Sequence, residues 1–102
     1  MKKYEWCKEI KRVLQGTSYD RPVTVDEITE RIGMFDERRT RRYILETMKL
    51  YNFPIGSDGR GYFRIRTAQE MQRYLNALLK RQIAISERID VCYDAFHGRF
   101  PV

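Results

Sequence analysis

The sequence predicts a mainly α-helical protein that carries one small β-hairpin and ends in a long helix. Three observations predict it. Apolar residues recur at helical spacing in four separate segments. Only "FPIGSDGRGYFRIR", residues 53–66, combines a glycine-rich turn with alternating flanks, the signature of paired strands. From Thr67 to His97 the helical pattern continues without a glycine or a proline.

A chain of 102 residues has the length of one domain with an appended element. Its 42% apolar content can fill a small core, and its 33% charge is interspersed and accompanied by 13% aromatics, which argues against disorder. No apolar run approaches the ~18 residues of a membrane span. Charge interrupts the basic start "MKKYEWCKEI" and no apolar stretch follows, so no secretory signal is expected. Cys7 and Cys92 lie far apart, with His97 as the sole histidine, too few ligands for a zinc site. Both are expected as reduced thiols in a cytoplasmic protein, a bridge between them being the less favoured alternative.

Trp6, Ile10, Val13 and Leu14 mark a first helix over about residues 4–15, with Gly16 as its stop. "TSYDRP" reads as a loop. A second helix opens at a capping box, Thr24 with Glu27, buries Val25, Ile28 and Ile32, and closes at Gly33 in the left-handed conformation. A third begins after the N-cap Asp36 and runs to Tyr51, where Asn52 and Phe53-Pro54 end it. A short helix, a glycine-containing turn and a longer helix form a helix-turn-helix pattern. Pro54-Ile55 and residues 62–65 are the expected strands, with Phe63 and Ile65 on one face and Tyr62, Arg64 and Arg66 on the other. Thr67 and Glu70 form a second capping box for the final helix, which Gly98 and Pro101 terminate.

"DERRTRRYI", residues 36–44, holds four arginines in five consecutive positions. At 100° per residue, Ile44, Met48 and Tyr51 share the expected core stripe, with Leu45 at its border. Arg38, Arg39, Arg42, Tyr43 and Lys49 fall on the opposite arc, and Arg41 lies near the stripe, where its stem can pack. The net charge of +6 is uneven: residues 1–66 hold 15 Lys+Arg against 10 Asp+Glu, residues 67–102 hold 5 against 4. A basic excess of this kind favours an acidic partner, nucleic acid being the commonest.

This order, followed by "NFPIGSDGRGYFRI", resembles the winged helix-turn-helix DNA-binding domains, and is most similar to the small proteins of that type from phages and bacteria. The likeness rests on Asn52-Phe53-Pro54-Ile55 at the end of the third helix and Gly61-Tyr62-Phe63 at the closing strand, and it covers about residues 5–75. It implies that residues 37–51 are the recognition helix and that Ser57 to Arg60 form the tip of the wing. Arg38, Arg39, Arg42 and Tyr43 would enter the major groove of double-stranded DNA, and Arg60 would reach phosphate or the minor groove. Arg41 departs from the pattern, standing near where many relatives carry an aliphatic residue. A long helix after the wing is a common addition, and relatives of this shape are often dimers.

The chemistry of the residues leads the same way. Arginine holds guanine O6 and N7 through two hydrogen bonds, so this helix suits G·C-containing sites. Lys49 and Arg64, with Lys2, Lys3, Lys8, Lys11 and Arg66, suit phosphate contacts that position without reading sequence. Residues 1–66 are thus the expected DNA-binding domain, and residues 67–102 the long helix.

Within that helix, Met71, Leu75, Leu78, Gln82, Ile85, Ile89, Cys92 and Phe96 are spaced alternately by four and three, a heptad seam with Gln82 as its polar member. A rod of ~30 residues is ~45 Å long, against about 28 Å for a globule of ~66 residues. Its proximal part is expected to pack on the domain. The distal part, with Gln82, Ile85, Ile89, Cys92 and Phe96, is expected to pair two chains in parallel or antiparallel, or to form a small bundle.

No enzyme is expected. No carboxylate pair or nucleophile-base set stands out, and "GSDGRG" lacks the P-loop pattern. No cofactor or metal is implied. The expected function is a dimeric, sequence-specific transcriptional regulator of phage or bacterial type. The rival is a small phage-type protein that holds or inhibits a host protein through its basic face.

Overall fold

The computed structural model describes residues 1–101. It contains four helices and one hairpin in the order α1 (Lys3–Gln15), α2 (Val25–Ile32), α3 (Glu37–Tyr51), β1 (Ile55–Asp58), β2 (Gly61–Arg64) and α4 (Ala68–Phe96). The chain divides into two compact units, Met1–Met71 and Gln72–Val102. Among the described residues no helix is long and apolar enough to cross a membrane.

In the first unit, α1 brings the fully buried Cys7, Ile10 and Leu14 to the centre. Ile28 and Ile32 of α2, Ile44 of α3, Ile55 of β1, and Val23, Met34 and Phe53 from the connections join the cluster. The helix starts expected from local chemistry are present. Thr24 Oγ1 accepts from the Glu27 amide at 3.2 Å, and Asp36 from the Arg38 amide at 3.0 Å. The box at Thr67 is reciprocal: Glu70 N–H donates to Thr67 Oγ1 at 3.1 Å, while Glu70 Oε2 accepts from Thr67 N–H at 3.3 Å and Arg66 N–H at 2.8 Å. At Thr24 only the hydroxyl half of the box forms, and Glu27 instead lies 3.6 Å from Arg31 one turn on.

The helix ends differ from one another. Gly33 is left-handed (φ 76°), with its amide on Glu30 O and the Met34 amide on Thr29 O, so two carbonyls orphaned at the end of α2 are satisfied. Asn52 ends α3 in the same region at φ 49°. Gly16 ends α1 as expected, but in a right-handed conformation at φ −84°, and the Thr17 amide donates to Leu14 O at 3.1 Å. The Thr17 hydroxyl donates to Leu14 O at 2.7 Å and accepts from the Arg64 amide at 2.9 Å, which ties α1 to β2.

The hairpin is longer toward its tip than the sequence suggested. Ser57 and Asp58 belong to β1, and Asp58 pairs directly with Gly61, leaving Gly59 and Arg60 as the turn. Val23, just before the cap of α2, borders β2 through an isolated bridge: its amide donates to Tyr62 O at 2.8 Å and its carbonyl accepts from Tyr62 N–H at 2.7 Å. That approach needs Gly61. At φ 135°, a Cβ there would sit 2.3 Å from Val23 O. Phe63 and Ile65 are buried and Tyr62 and Arg64 half-buried, the alternation expected.

The long helix α4 carries no buried residue. At its end Gly98 turns left-handed at φ 64°, with its amide on Ala95 O and the Arg99 amide on Asp94 O, a second double closure.

Candidate nucleic-acid interface

Which face α3 turns outward is decided by two threonines. Thr40 and Thr47 are fully buried, and with Ile44 between them they form the inner stripe of the helix. Thr40 Oγ1 accepts from Thr29 Oγ1 of α2 at 2.9 Å and reaches Asp36 O at 3.2 Å. Thr47 Oγ1 donates to Tyr43 O at 2.7 Å and lies 3.4 Å from Cys7 O of α1. The expected stripe of Ile44, Met48 and Tyr51 is thus rotated toward residues 40, 44 and 47. Met48 and Tyr51 are half-buried, and Leu45 is exposed.

This rotation places the arginines. Residues two apart on a helix point about 200° from one another, so burying Thr40 directs both Arg38 and Arg42 away from the core. Arg38, Arg39 and Arg42 are exposed and, with Asp36, border one shallow open depression at the start of α3. Among the described residues none of the three forms an ion pair; Arg42 lies 5.7 Å from the centre of the Tyr43 ring. Arg41, expected near the apolar stripe, is also exposed and lies 3.7 Å from Glu37. Glu37 shares a hydrogen bond with Asp26 of α2, which holds its carboxyl above the ordinary glutamate range. Tyr43 is half-buried and packs on the core, and Lys49 is exposed further along α3.

Phe35 was not singled out from the sequence. It sits in the turn between α2 and α3, one residue before the cap of α3, with its ring fully exposed. A lone aromatic in a turn contributes to no periodic pattern, so the only sequence signal was its place between the glycine and the cap.

Around the hairpin, several cations are already engaged. Arg60 is held against Asp58, Nη2 to Oδ2 at 2.8 Å, with its guanidinium 4.6 Å from the Tyr19 ring centre. This contact holds the Asp58 carboxyl below the usual carboxylate range, and Asp58 in turn raises the Arg60 pKa. Arg64 stacks over Phe53 at 5.0 Å. Arg66, grouped in the sequence with residues suited to phosphate, donates instead to Gln15 O, at the last residue of α1, at 2.9 Å and to Thr17 O, just beyond it, at 2.8 Å. Lys11 lies 4.7 Å over the Tyr51 ring and Lys3 3.6 Å from Glu46. Arg38, Arg39 and Arg42 of α3 and the arginine at the hairpin tip therefore differ: among the described residues no carboxylate holds the first three, whereas Asp58 holds Arg60.

The other predicted set lies on α4. Gln82, Ile85, Ile89, Cys92 and Phe96 are all exposed, at 54%, 63% and 86% for Ile85, Ile89 and Phe96. Ile89, Cys92, Tyr93, Phe96 and His97 line a shallow, mainly apolar depression. Both cysteines are free, Cys7 buried and Cys92 exposed.

Comparison with protein-family models, with curated proteins and with solved structures finds no match for this chain.

Proposed function

We propose that this chain is a sequence-specific double-stranded DNA-binding protein of winged helix-turn-helix type, acting as a dimeric transcriptional regulator of the phage or bacterial kind. The observation that carries the reading is the group of Arg38, Arg39 and Arg42, exposed together on the first two turns of α3 without an ion pair among the described residues. The N-terminal turns of a recognition helix are the part that reaches base edges. An arginine there can read guanine bidentately. In this reading α3 enters the major groove, the β1–β2 hairpin is the wing, and Lys49, Arg60 and Arg64 contact phosphates. Self-association through α4 presents two such helices to two half-sites and raises affinity through effective concentration.

Titration of a random-sequence duplex pool against salt tests this. With ~5 phosphate contacts per protomer, log K falls with a slope near −4 to −5 against log salt. Replacing Arg38, Arg39 and Arg42 together by Ala abolishes binding and leaves the helical circular-dichroism signal in place. Absence of binding to any duplex at low salt would rule the reading out.

One observation favours a second reading. Phe35, fully exposed beside the arginines, gives the basic face the aromatic and arginine composition of a protein-binding hot spot. A host protein with an acidic surface would then be the partner, and the triple arginine variant would lose that complex while duplex DNA was never bound.

A further inference from the structure

The apolar stripe of α4 leaves open which way two helices would run. We propose that the partner of α4 is a second copy of this chain, parallel and in register, so that Gln82 faces Gln82 and Cys92 faces Cys92. This rests on the self-association reading above and adds its direction.

The spacing of Leu75, Leu78, Gln82, Ile85, Ile89 and Cys92 alternates between three and four, and all six are exposed. Residues flanking such a seam set orientation by their charges. One flank consists of Tyr74, Arg81, Arg88 and Ala95. In an antiparallel pair this flank faces itself. The register that overlaps the whole seam, with Gln82 opposite Ile85, sets Arg81 against Arg88. Sliding by one heptad either way sets Arg81 against Arg81 or Arg88 against Arg88. Each antiparallel register that keeps the seam packed therefore opposes like charges across the helix pair, which is destabilising.

In a parallel pair the arginine flank meets the other flank, Gln72, Leu79, Ser86 and Tyr93. Arg81 then meets Ser86, and Arg88 meets Tyr93, whose ring attracts a guanidinium. No like charges are opposed. The polar position agrees. Two glutamine side chains facing each other can satisfy one another, because each amide carries both a donor and an acceptor. The antiparallel register would instead lay Gln82 against the apolar Ile85.

Cys92 supplies the readout. In the parallel pair its two copies share one core layer and face each other across the seam, so small local motion brings them to the separation of about 4 Å between Cβ atoms that a disulfide needs. In the antiparallel pair Cys92 faces Leu75. Cys7 is fully buried, so Cys92 is the thiol open to an oxidant. The full chain is treated with diamide, which takes up the two protons and two electrons released as two thiols join. It is then run under denaturing, non-reducing conditions, alongside sedimentation of untreated protein. The expected result is a covalent dimer that forms at a rate independent of protein concentration and is lost in Cys92→Ser, while Cys92→Ser still sediments as a dimer. A sedimenting dimer that gives no Cys92 cross-link, and that cross-links only after Leu75→Cys, overturns the parallel arrangement alone. A cross-link whose rate rises with concentration is collisional and overturns it too. A monomer in sedimentation overturns the self-association reading and this one with it.

Discussion

The hydroxyl of Thr29 in α2 donates to that of Thr40 in α3 at 2.9 Å, and both residues are buried. This contact fixes more than a helix pair. Thr40 stands two residues from Arg38 and two from Arg42, so holding it inward holds both guanidinium groups outward. Thr40→Val keeps the side-chain volume and removes the hydroxyl. It is expected to lower stability by about 1 kcal/mol, the net worth of a buried hydrogen bond, read as a lower urea midpoint at unchanged slope. A stability equal to the parent would show that packing alone orients α3.

The two glycines at the hairpin tip separate backbone strain from local bulk. A Cβ at Gly61 would meet Val23 O at 2.3 Å and would be forced to φ 135°, whereas Gly59 has nothing within 4 Å and no left-handed backbone. Gly61→Ala is expected to cost at least about 2 kcal/mol through strain and displacement of Val23. Gly59→Ala is expected to stay within ±0.5 kcal/mol, as for an open surface site. Thermal melting of the two variants checks the contrast, and equal losses would count against the Val23–Tyr62 bridge.

Much of this arrangement was legible because its causes are local. The caps at Thr24, Asp36 and Thr67 need only a side chain and an amide two or three residues away, so composition at fixed offsets finds them. Left-handed Gly33 and Asn52 follow the same logic. What could not be read depends on distant partners. Thr40 and Thr47 look polar in a helical pattern, yet their hydroxyls are satisfied by Thr29, Asp36 O and Tyr43 O and so pass inside, while the apolar Leu45 stays exposed. Val23 pairs with a residue 39 positions later, and Arg66 finds the end of α1 some fifty residues before it. For the candidate site, spacing located the arginines but not their freedom. That Arg60 is held by Asp58, and Arg38 and Arg39 by no carboxylate among the described residues, is a matter of geometry.

The Asp58–Arg60 pair makes a prediction about charge at the hairpin tip. The Asp58 carboxyl is depressed chiefly by its hydrogen bond from Arg60. Its contribution to stability is therefore fully present above the ordinary aspartate value of about 3.9 and is lost as pH falls through the lower folded value. At neutral pH the pair is closed, and Arg60 is partly neutralised. Asp58→Asn retains a side-chain oxygen for the Arg60 amide, which Asp58 Oδ1 now accepts at 2.8 Å, and removes the charge that holds the guanidinium. If the hairpin tip meets phosphate, this variant binds duplex DNA several-fold more tightly at neutral pH, and its salt slope steepens by about one unit. An unchanged slope would remove Arg60 from the proposed contact.

Phe35 divides the two functional readings. Its ring is fully exposed beside the cap of α3, so Phe35→Ala removes no core contact and should leave the melting temperature and helix content as they are. On DNA, an aromatic at the start of a recognition helix makes apolar contact with a thymine methyl group. Loss of that contact is expected to cost about 1 kcal/mol at one base position, the worth of burying one methyl-sized group. The cost is measured by comparing a duplex carrying thymine with one carrying uracil at each position of a selected site. In the parent one position prefers thymine, and in Phe35→Ala that preference disappears while binding to the rest of the site and the salt slope persist. On a protein partner the same change weakens the complex, and no duplex position responds. A parent with no thymine preference at any position, yet with arginine-dependent DNA binding, would leave α3 as the reader and withdraw Phe35 from the interface.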